Sequence, residues 1–286
     1  MLDGTRVGVV ILNYKDAKTT MHLCNLIKNY NVIDRIVLVD NLSPDDSYEE
    51  LKKLKNSKID VISTDRNGGY SYGNNYGAFY LIVNHKVDVL LIANPDVEFT
   101  EEHVETLVKH LNKGKFQAVS GVMKNPDGSP SRWNGRINTW FEALIDSLLF
   151  LRKLLNLSSF DYAQQDDEYI YVDFLPGSLF AINAKAFSVI MGFDDNVFLY
   201  FEECIMRSRF DIAGFKLALI KNTSFIHNHS VSINKSINKI EQIKQYNKSK
   251  LYYYTTYKDI DCIQCLILKL FLKYGLYIRK ILYKFY

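Results

Sequence analysis

Val87-Asp88-Val89-Leu90-Leu91-Ile92-Ala93-Asn94-Pro95-Asp96 decides how the rest of this chain is read. Its apolar run is short, rich in branched residues and closed by turn formers, the pattern of a strand buried on both faces of a parallel sheet. Ligands of open α/β sheets collect at the C-terminal edges of such strands. A carboxylate on that edge, held by a stiff proline turn, can grip a divalent metal, which can in turn grip a pyrophosphate. Asp96 is therefore a candidate ligand. Asn, Pro and Asp also favour an ordinary turn, so the flanking sequence has to choose between the two readings.

Outward from that strand, apolar runs alternate with helical spacing. Val7–Leu12, Ile36–Val39, Ile59–Ser63 and Ala118–Val122 read as strands. Ala17–Asn29, Ser47–Leu54, Ser71–Val83 and Glu101–Leu111 read as helices, the last with Thr100 as N-cap and acids in its first turn. This order predicts an α/β fold, a Rossmann-like, mostly parallel sheet wound on both sides by helices. A polar stretch over 124–138 then leads to an apolar helix, Thr139–Leu157, and a flexible acidic loop, Phe160–Glu168. Two short strands around Gly177, helices Ala184–Met191 and Glu202–Ala213, and a strand Lys216–Ile220 follow. The chain is helical in character from Ile240. The expected division is an α/β unit over 1–235, falling into halves at about 123/124, and a helical C-terminal appendage over 236–286.

The 286 residues are 48% hydrophobic and 23% charged with a formal net charge of +3, which suits a soluble domain and argues against a nucleic-acid partner. Met1–Arg6 leads straight into the first strand with no secretory leader pattern, so a cytoplasmic location is expected. Cys24, Cys204, Cys262 and Cys265 are read as reduced thiols.

Three further clusters carry chemistry. Asp40 ends the second strand and can accept the imide N–H of a pyrimidine base. Asn67-Gly68-Gly69, with Asn75-Tyr76-Gly77, opens a helix where backbone amides can approach a phosphate or sugar. Glu202-Glu203 sit at a helix N-terminus after Phe198-Leu199-Tyr200-Phe201, where acids are favoured on electrostatic grounds alone.

Taken in order, Ile11-Leu12-Asn13-Tyr14, Val39-Asp40-Asn41 with Ser43, Asn67-x-Gly69, Asn75-x-Gly77, Asn94-Pro95-Asp96-Val97, Pro176-Gly177-Ser178, Gly192-Phe193-Asp194, Phe198–Glu203 and the region of His227 resemble a family 2 glycosyltransferase, in the branch of bacterial rhamnosyltransferases. The resemblance implies a GT-A fold, a thymidine or uridine diphosphate sugar donor (rhamnose favoured), Mn²⁺ or Mg²⁺, and inversion at the anomeric carbon. It implies that Asp96 ligates the metal with His227 or His229, and that Asp40 reads the base. Asn13, Tyr14, Asn41, Asn67, Gly69, Asn75, Asn94, Gly177, Ser178 and Arg209 would contact the donor. Glu203, with Glu202 second, would be the catalytic base. The family's usual Glu-Asp is Glu-Glu here, its next acid is Ile205, and Ser230 replaces a glycine.

The acceptor implied is a lipid-linked glycan of a bacterial surface polysaccharide. On Ile263–Tyr286, Lys269, Lys273, Lys280 and Lys284 fall within roughly 60° of a helical wheel and no acid is present, which predicts a helix lying in the inner membrane interface. A core helix or a homodimer contact is the alternative. Two other functions compete: a sugar-1-phosphate nucleotidyltransferase, disfavoured because Asn13-Tyr14-Lys15-Asp16 stands where a glycine-rich basic loop is needed, and a sugar-nucleotide-binding protein without transferase activity.

Overall fold

The computed structural model describes residues 2, 4–131, 135–148, 168–228 and 238–282. The predicted parallel half is present. Strands β1 (Val7–Asn13), β2 (Arg35–Asp40), β3 (Ile59–Ser63) and β4 (Val89–Ala93) pair in parallel in the order β3-β2-β1-β4. Helices α1 (Ala17–Ile27), α2 (Ser47–Lys52) and α3 (Gly69–Tyr80) connect them. The helix expected to reach Val83 changes at Leu81 into a wider π-type turn, which closes at Lys86 with φ 52°.

Beyond β4 the sheet stops being parallel. After β5 (Val97–Glu98), α4 (Glu101–Asn112), β6 (Ala118–Lys124), α5 (Trp140–Ser147) and β7 (Tyr169–Ile170), the strand β8 (Leu179–Asn183) inserts antiparallel between β4 and β6. Four of its five residues are buried, so its sequence is an unbroken apolar run that discloses no direction. Helices α6 (Ala184–Val189) and α7 (Glu202–Ala213) then lead to β9 (Leu217–His227), which pairs in parallel with β6. The full order is β3-β2-β1-β4-β8-β6-β9-β5, with β7 also on β9. The β6–β9 register shifts after Gly121, and beyond the shift β9 runs on to meet β5, pairing His227 with Val97. Sequence reading had ended this strand at Ile220.

Each face of the sheet carries an apolar core: Leu23, Ile27, Leu51, Val104 and Leu107 cover one side, Ala78, Leu81, Phe187 and Phe210 the other. A third cluster joins Ala143 and Leu144 of α5 and Ile205 of α7 to Tyr253 and Tyr254 of α8 (Lys239–Tyr257) and to Leu268 and Leu272 of α9 (Cys262–Leu282). The C-terminal helices thus share a core with the sheet domain. The helix expected over Thr139–Leu157 begins with a Thr139–Glu142 capping box and ends at Ser147, Leu148 being extended; 149–167, including the expected acidic loop, lie outside the described residues except Glu168. Lys250 Nζ donates to the Ala143 carbonyl of this terminus at 2.6 Å, a cation at the negative end of the helix.

One carboxylate ties the third core to the first two. Asp194 accepts from Tyr257 Oη at 2.6 Å and Tyr252 Oη at 2.9 Å, both on α8, and from the backbone and side-chain amides of Asn196. Arg209 Nη2 of α7 stands 3.4 Å away. Burial alone would push this carboxyl up; the hydrogen bonds from Tyr257, Asn196 and Tyr252 outweigh it and hold the group below its ordinary value. A depressed native pKa adds stability that is present above the unfolded value and lost as pH falls through the native one. Asp194→Asn should therefore cost about 2–4 kcal/mol at pH 7. The deficit relative to wild type, followed by urea unfolding, should shrink below the ordinary carboxyl value of 3.8.

Candidate active site

At the C-terminal edges of β1–β3, polar side chains hold one another. Asp40 accepts from Asn13 Nδ2 on one oxygen and from the Ser43 amide on the other, each at 2.8 Å, and is 1% exposed. Thr20 Oγ1 donates to Asn13 Oδ1. Asn41 Nδ2 donates to Asn67 Oδ1 and to the Gly69 carbonyl, both at 3.0 Å. Asp40 thus orders the edge, and each of its oxygens keeps a second acceptor site. Tyr14 is half-buried at the rim, with Lys15 Nζ 5.3 Å from its ring.

The second cluster forms where β4 and β9 end. The β5–β9 pairing carries His227 to the Asn-Pro-Asp turn, and His227 Nε2 lies 3.3 Å from Asp96 Oδ1. Asn228 N closes the turn on the Asp96 carbonyl at 2.9 Å. His229 lies outside the described residues. Among the described residues no group of three or more His, Cys, Asp and Glu could hold a metal ion. One carboxylate and one imidazole nevertheless fit an ion that takes its remaining ligands from phosphate and water.

His227 and Asn94 line a cavity of about 550 Å³ that continues past Gly177 and Ser178 to Glu202 and Glu203. The approach to the two acids is strained: Tyr200 and Phe201 have φ of 72° and 71°. Non-glycine residues in this region cost about 1–3 kcal/mol each unless the surroundings hold them. Here Phe201 packs on Tyr246 and Tyr253, with ring centroids 5.3 and 5.4 Å apart, and Ser249 Oγ donates to the Leu199 carbonyl at 2.7 Å. From the other side the Tyr70 amide donates to the Phe198 carbonyl at 2.9 Å. That approach needs Gly69, since a Cβ there would stand 1.9 Å from the same oxygen and φ is +82°.

Burial raises the pKa of both acids, and mutual repulsion adds to the shift of Glu202, which is well above its ordinary value. Glu202 Oε1 has no hydrogen-bond partner among the described residues. Both acids receive backbone N–H groups, and that of Gly177 on Glu203 favours its ionised form. Gly177 admits this contact because a Cβ would lie 2.2 Å from Glu203 Oε1. Tyr70 Oη donates to the Gly177 carbonyl at 2.6 Å. Its hydroxyl is held protonated by burial and by the charges of Glu203 and Glu202.

A family model, Glycosyl transferase family 2, matches residues 9–190. The chain belongs to this family. A low-salt glycan biosynthesis hexosyltransferase, Agl10, of Haloferax volcanii is 25% identical over 232 residues, covering 81% of this chain and 69% of that protein. The structure resembles GalNAc-T7 with UDP, GalNAc and Mn²⁺ at a TM-score of 0.61 and 17% identity, covering 94% of this chain and 55% of that one. It also resembles a mannosyltransferase of Pyrobaculum calidifontis in complex with GDP-Man and Mn²⁺, at 0.60 and 12% identity, covering 95% and 72%. The fold is GT-A, as these neighbours are.

Of the residues singled out in sequence, this family 2 chain gathers Asn94, Gly177, Ser178, Glu202, Glu203 and His227 around one cavity, with Asp96 against His227. Asn13, Asp40, Asn41, Asn67 and Gly69 form the neighbouring edge. Two lie elsewhere. Asn75 exchanges hydrogen bonds with the Phe193 backbone, and Arg209 donates to the Ile190 and Gly192 carbonyls and to Tyr257 Oη. Both pin the Gly192-Phe193-Asp194 turn rather than line the cavity. Sequence reading missed Tyr70, Arg136, Tyr246, Lys250 and Tyr254, which do line it. The one available signal was the run of tyrosines in an otherwise polar helix, Tyr246 to Tyr257.

The raised pair has a stability consequence. A carboxyl with a raised native pKa contributes stability that is fully present below its unfolded value and lost as pH rises through the native one. Glu202→Gln should therefore gain melting temperature relative to wild type at pH 8, with the gain vanishing toward the ordinary carboxyl value of 4.5. Paired thermal melts across this range check it.

Proposed function

We propose that this chain is an inverting glycosyltransferase that moves a hexose, rhamnose favoured, from a thymidine or uridine diphosphate donor to a lipid-linked glycan acceptor in bacterial surface-polysaccharide synthesis. The observation that carries the reading is that Glu202 and Glu203 line one cavity with His227, which stands against Asp96. That arrangement sets a proton acceptor opposite a diphosphate site. The 550 Å³ cavity has room for sugar residues beside them.

The nucleoside packs along the edge formed by Tyr14, Asn41 and Asn67. Asp96 and His227 would hold Mn²⁺ or Mg²⁺, which when bound offsets charge on the leaving diphosphate. Asn94 and Ser178 stand beside them. The acceptor enters from the side walled by α5 and α8, where Tyr246 and Tyr254 offer apolar ring faces and polar edges to a sugar. Glu203 takes the acceptor hydroxyl proton as the oxygen bonds to C1 and the C1–O bond to the diphosphate breaks, a single displacement that inverts the centre. Glu202 keeps its proton, so the pair carries a single negative charge beside the incoming hydroxyl. Tyr70 and the Gly177 amide hold Glu203 in place.

Three substitutions test the assignments. Glu203→Gln should lower turnover by about 10²–10⁴ with donor affinity kept. Glu202→Gln should leave more activity than Glu203→Gln and leave the acidic limb of the pH–rate profile in place, because Glu202 is already neutral where Glu203 ionises. A larger loss in Glu202→Gln would transfer the base role to that residue. Asp96→Ala should abolish the Mn²⁺ dependence of nucleoside diphosphate binding, measured by calorimetry, and unchanged affinity in Mn²⁺ would refute the ligand assignment.

A further inference from the structure

Helix α9 has two apolar faces, and the fold uses one. Leu268, Leu272 and Gly275 are buried against α5 and α8, Gly275 so closely that a Cβ would stand 2.0 Å from the Ser147 carbonyl. On the opposite side Ile263, Leu266, Leu270, Tyr274, Tyr277 and Ile281 are exposed, from 39% at Ile281 to 71% at Ile263. At 3.6 residues per turn these six positions fall within an arc of about 80°, centred almost opposite the buried three. The spacing is that of a continuous stripe, not of scattered surface residues.

Lys269, Lys273 and Lys280 are exposed and form a second row directly beside the stripe, and Cys262–Leu282 contains no acidic residue. Among the described residues no helix is long and apolar enough to cross a membrane. An apolar stripe with tyrosines, edged by lysines and free of acids, matches the physical requirements of a bilayer interface: chains take the apolar side chains, phosphates attract the lysines, and tyrosine rings prefer the boundary. A second copy of this helix would bring no acid to those lysines.

We propose that the outward face of α9 is a docking surface for an anionic lipid bilayer. The helices beneath it, α5 and α8, are the ones that wall the acceptor side of the cavity. Docking therefore brings that wall to the membrane and deepens the reading of a lipid-linked acceptor; this orientation rests on the transferase assignment, whereas the docking surface itself does not.

The test is co-sedimentation of the full chain with vesicles of phosphatidylglycerol and phosphatidylcholine, against vesicles of phosphatidylcholine alone. Wild type should sediment with the mixed vesicles and lose binding at high salt. Replacing Lys269, Lys273 and Lys280 together with Gln should weaken binding on the order of 10²-fold, since each basic residue contributes about a fivefold factor at an anionic surface. Leu266→Ser, Leu270→Ser and Tyr274→Ser combined should abolish it. All six positions face solvent, so thermal melts should match wild type, and the lysine variant keeps the test decisive if the apolar one folds poorly. Equal binding to both vesicle types, or wild-type binding by both variants, overturns the proposal. So does a wild-type dimer in sedimentation equilibrium that the apolar variant makes monomeric without any vesicle binding. Vesicle binding by a protein that fails to hydrolyse or transfer any nucleotide sugar would keep the docking surface and overturn the transferase reading.

Discussion

Asp194 accepts two tyrosine hydroxyls from α8, two amides from Asn196 and the approach of Arg209 from α7, and the site depends on this junction. With the Ser249–Leu199 hydrogen bond, it fixes α8 against the segment that precedes Glu202. The same segment is held from below by Asn75 on α3. A buried carboxylate is expensive to keep, and four hydrogen bonds with a nearby guanidinium are what make this one stable. The acid that does no chemistry in the proposed mechanism therefore determines where the reacting acids stand.

Glu202 and Glu203 are placed by strain that packing balances. Two consecutive left-handed residues would relax if Phe201 were free, and the rings of Tyr246 and Tyr253 prevent it. Burial then separates the roles of two chemically identical side chains. Glu203 ionises first; Glu202 is raised further, by burial and by the charge of Glu203, and holds its proton. Difference of environment, not of residue type, assigns base and spectator.

The sequence disclosed what local pattern can encode. β1 to β4 and their helices follow from apolar periodicity, and the Thr100 cap is where the side-chain chemistry put it. The positions of Glu202, Glu203 and Asp96 were legible as motifs. Direction and distance were not. β8 is apolar up to its last residue, Asn183, so its antiparallel insertion left no trace in its composition. The meeting of Asp96 with His227 was implied by the family resemblance alone, since it depends on a register shift in β9 that no short motif records. The cavity wall from α8 was hidden for a different reason: Tyr246, Lys250 and Tyr254 are ordinary helix residues until the fold brings them beside Glu203. The family match, which ends at residue 190, likewise stops short of both acids and of that wall.

The dependence of the acids on α8 bears on how the protein is made. A chain that has emerged from the ribosome as far as Gly214 already possesses the nucleotide edge, Asp96 and both glutamates. It lacks β9, so His227 has not reached Asp96, and it lacks the tyrosines that clamp Phe201 and Asp194. Such a nascent chain has the raw materials of a sugar-transfer site in unworkable positions. Under the proposed mechanism, the residues that position the base are thus the last to be made.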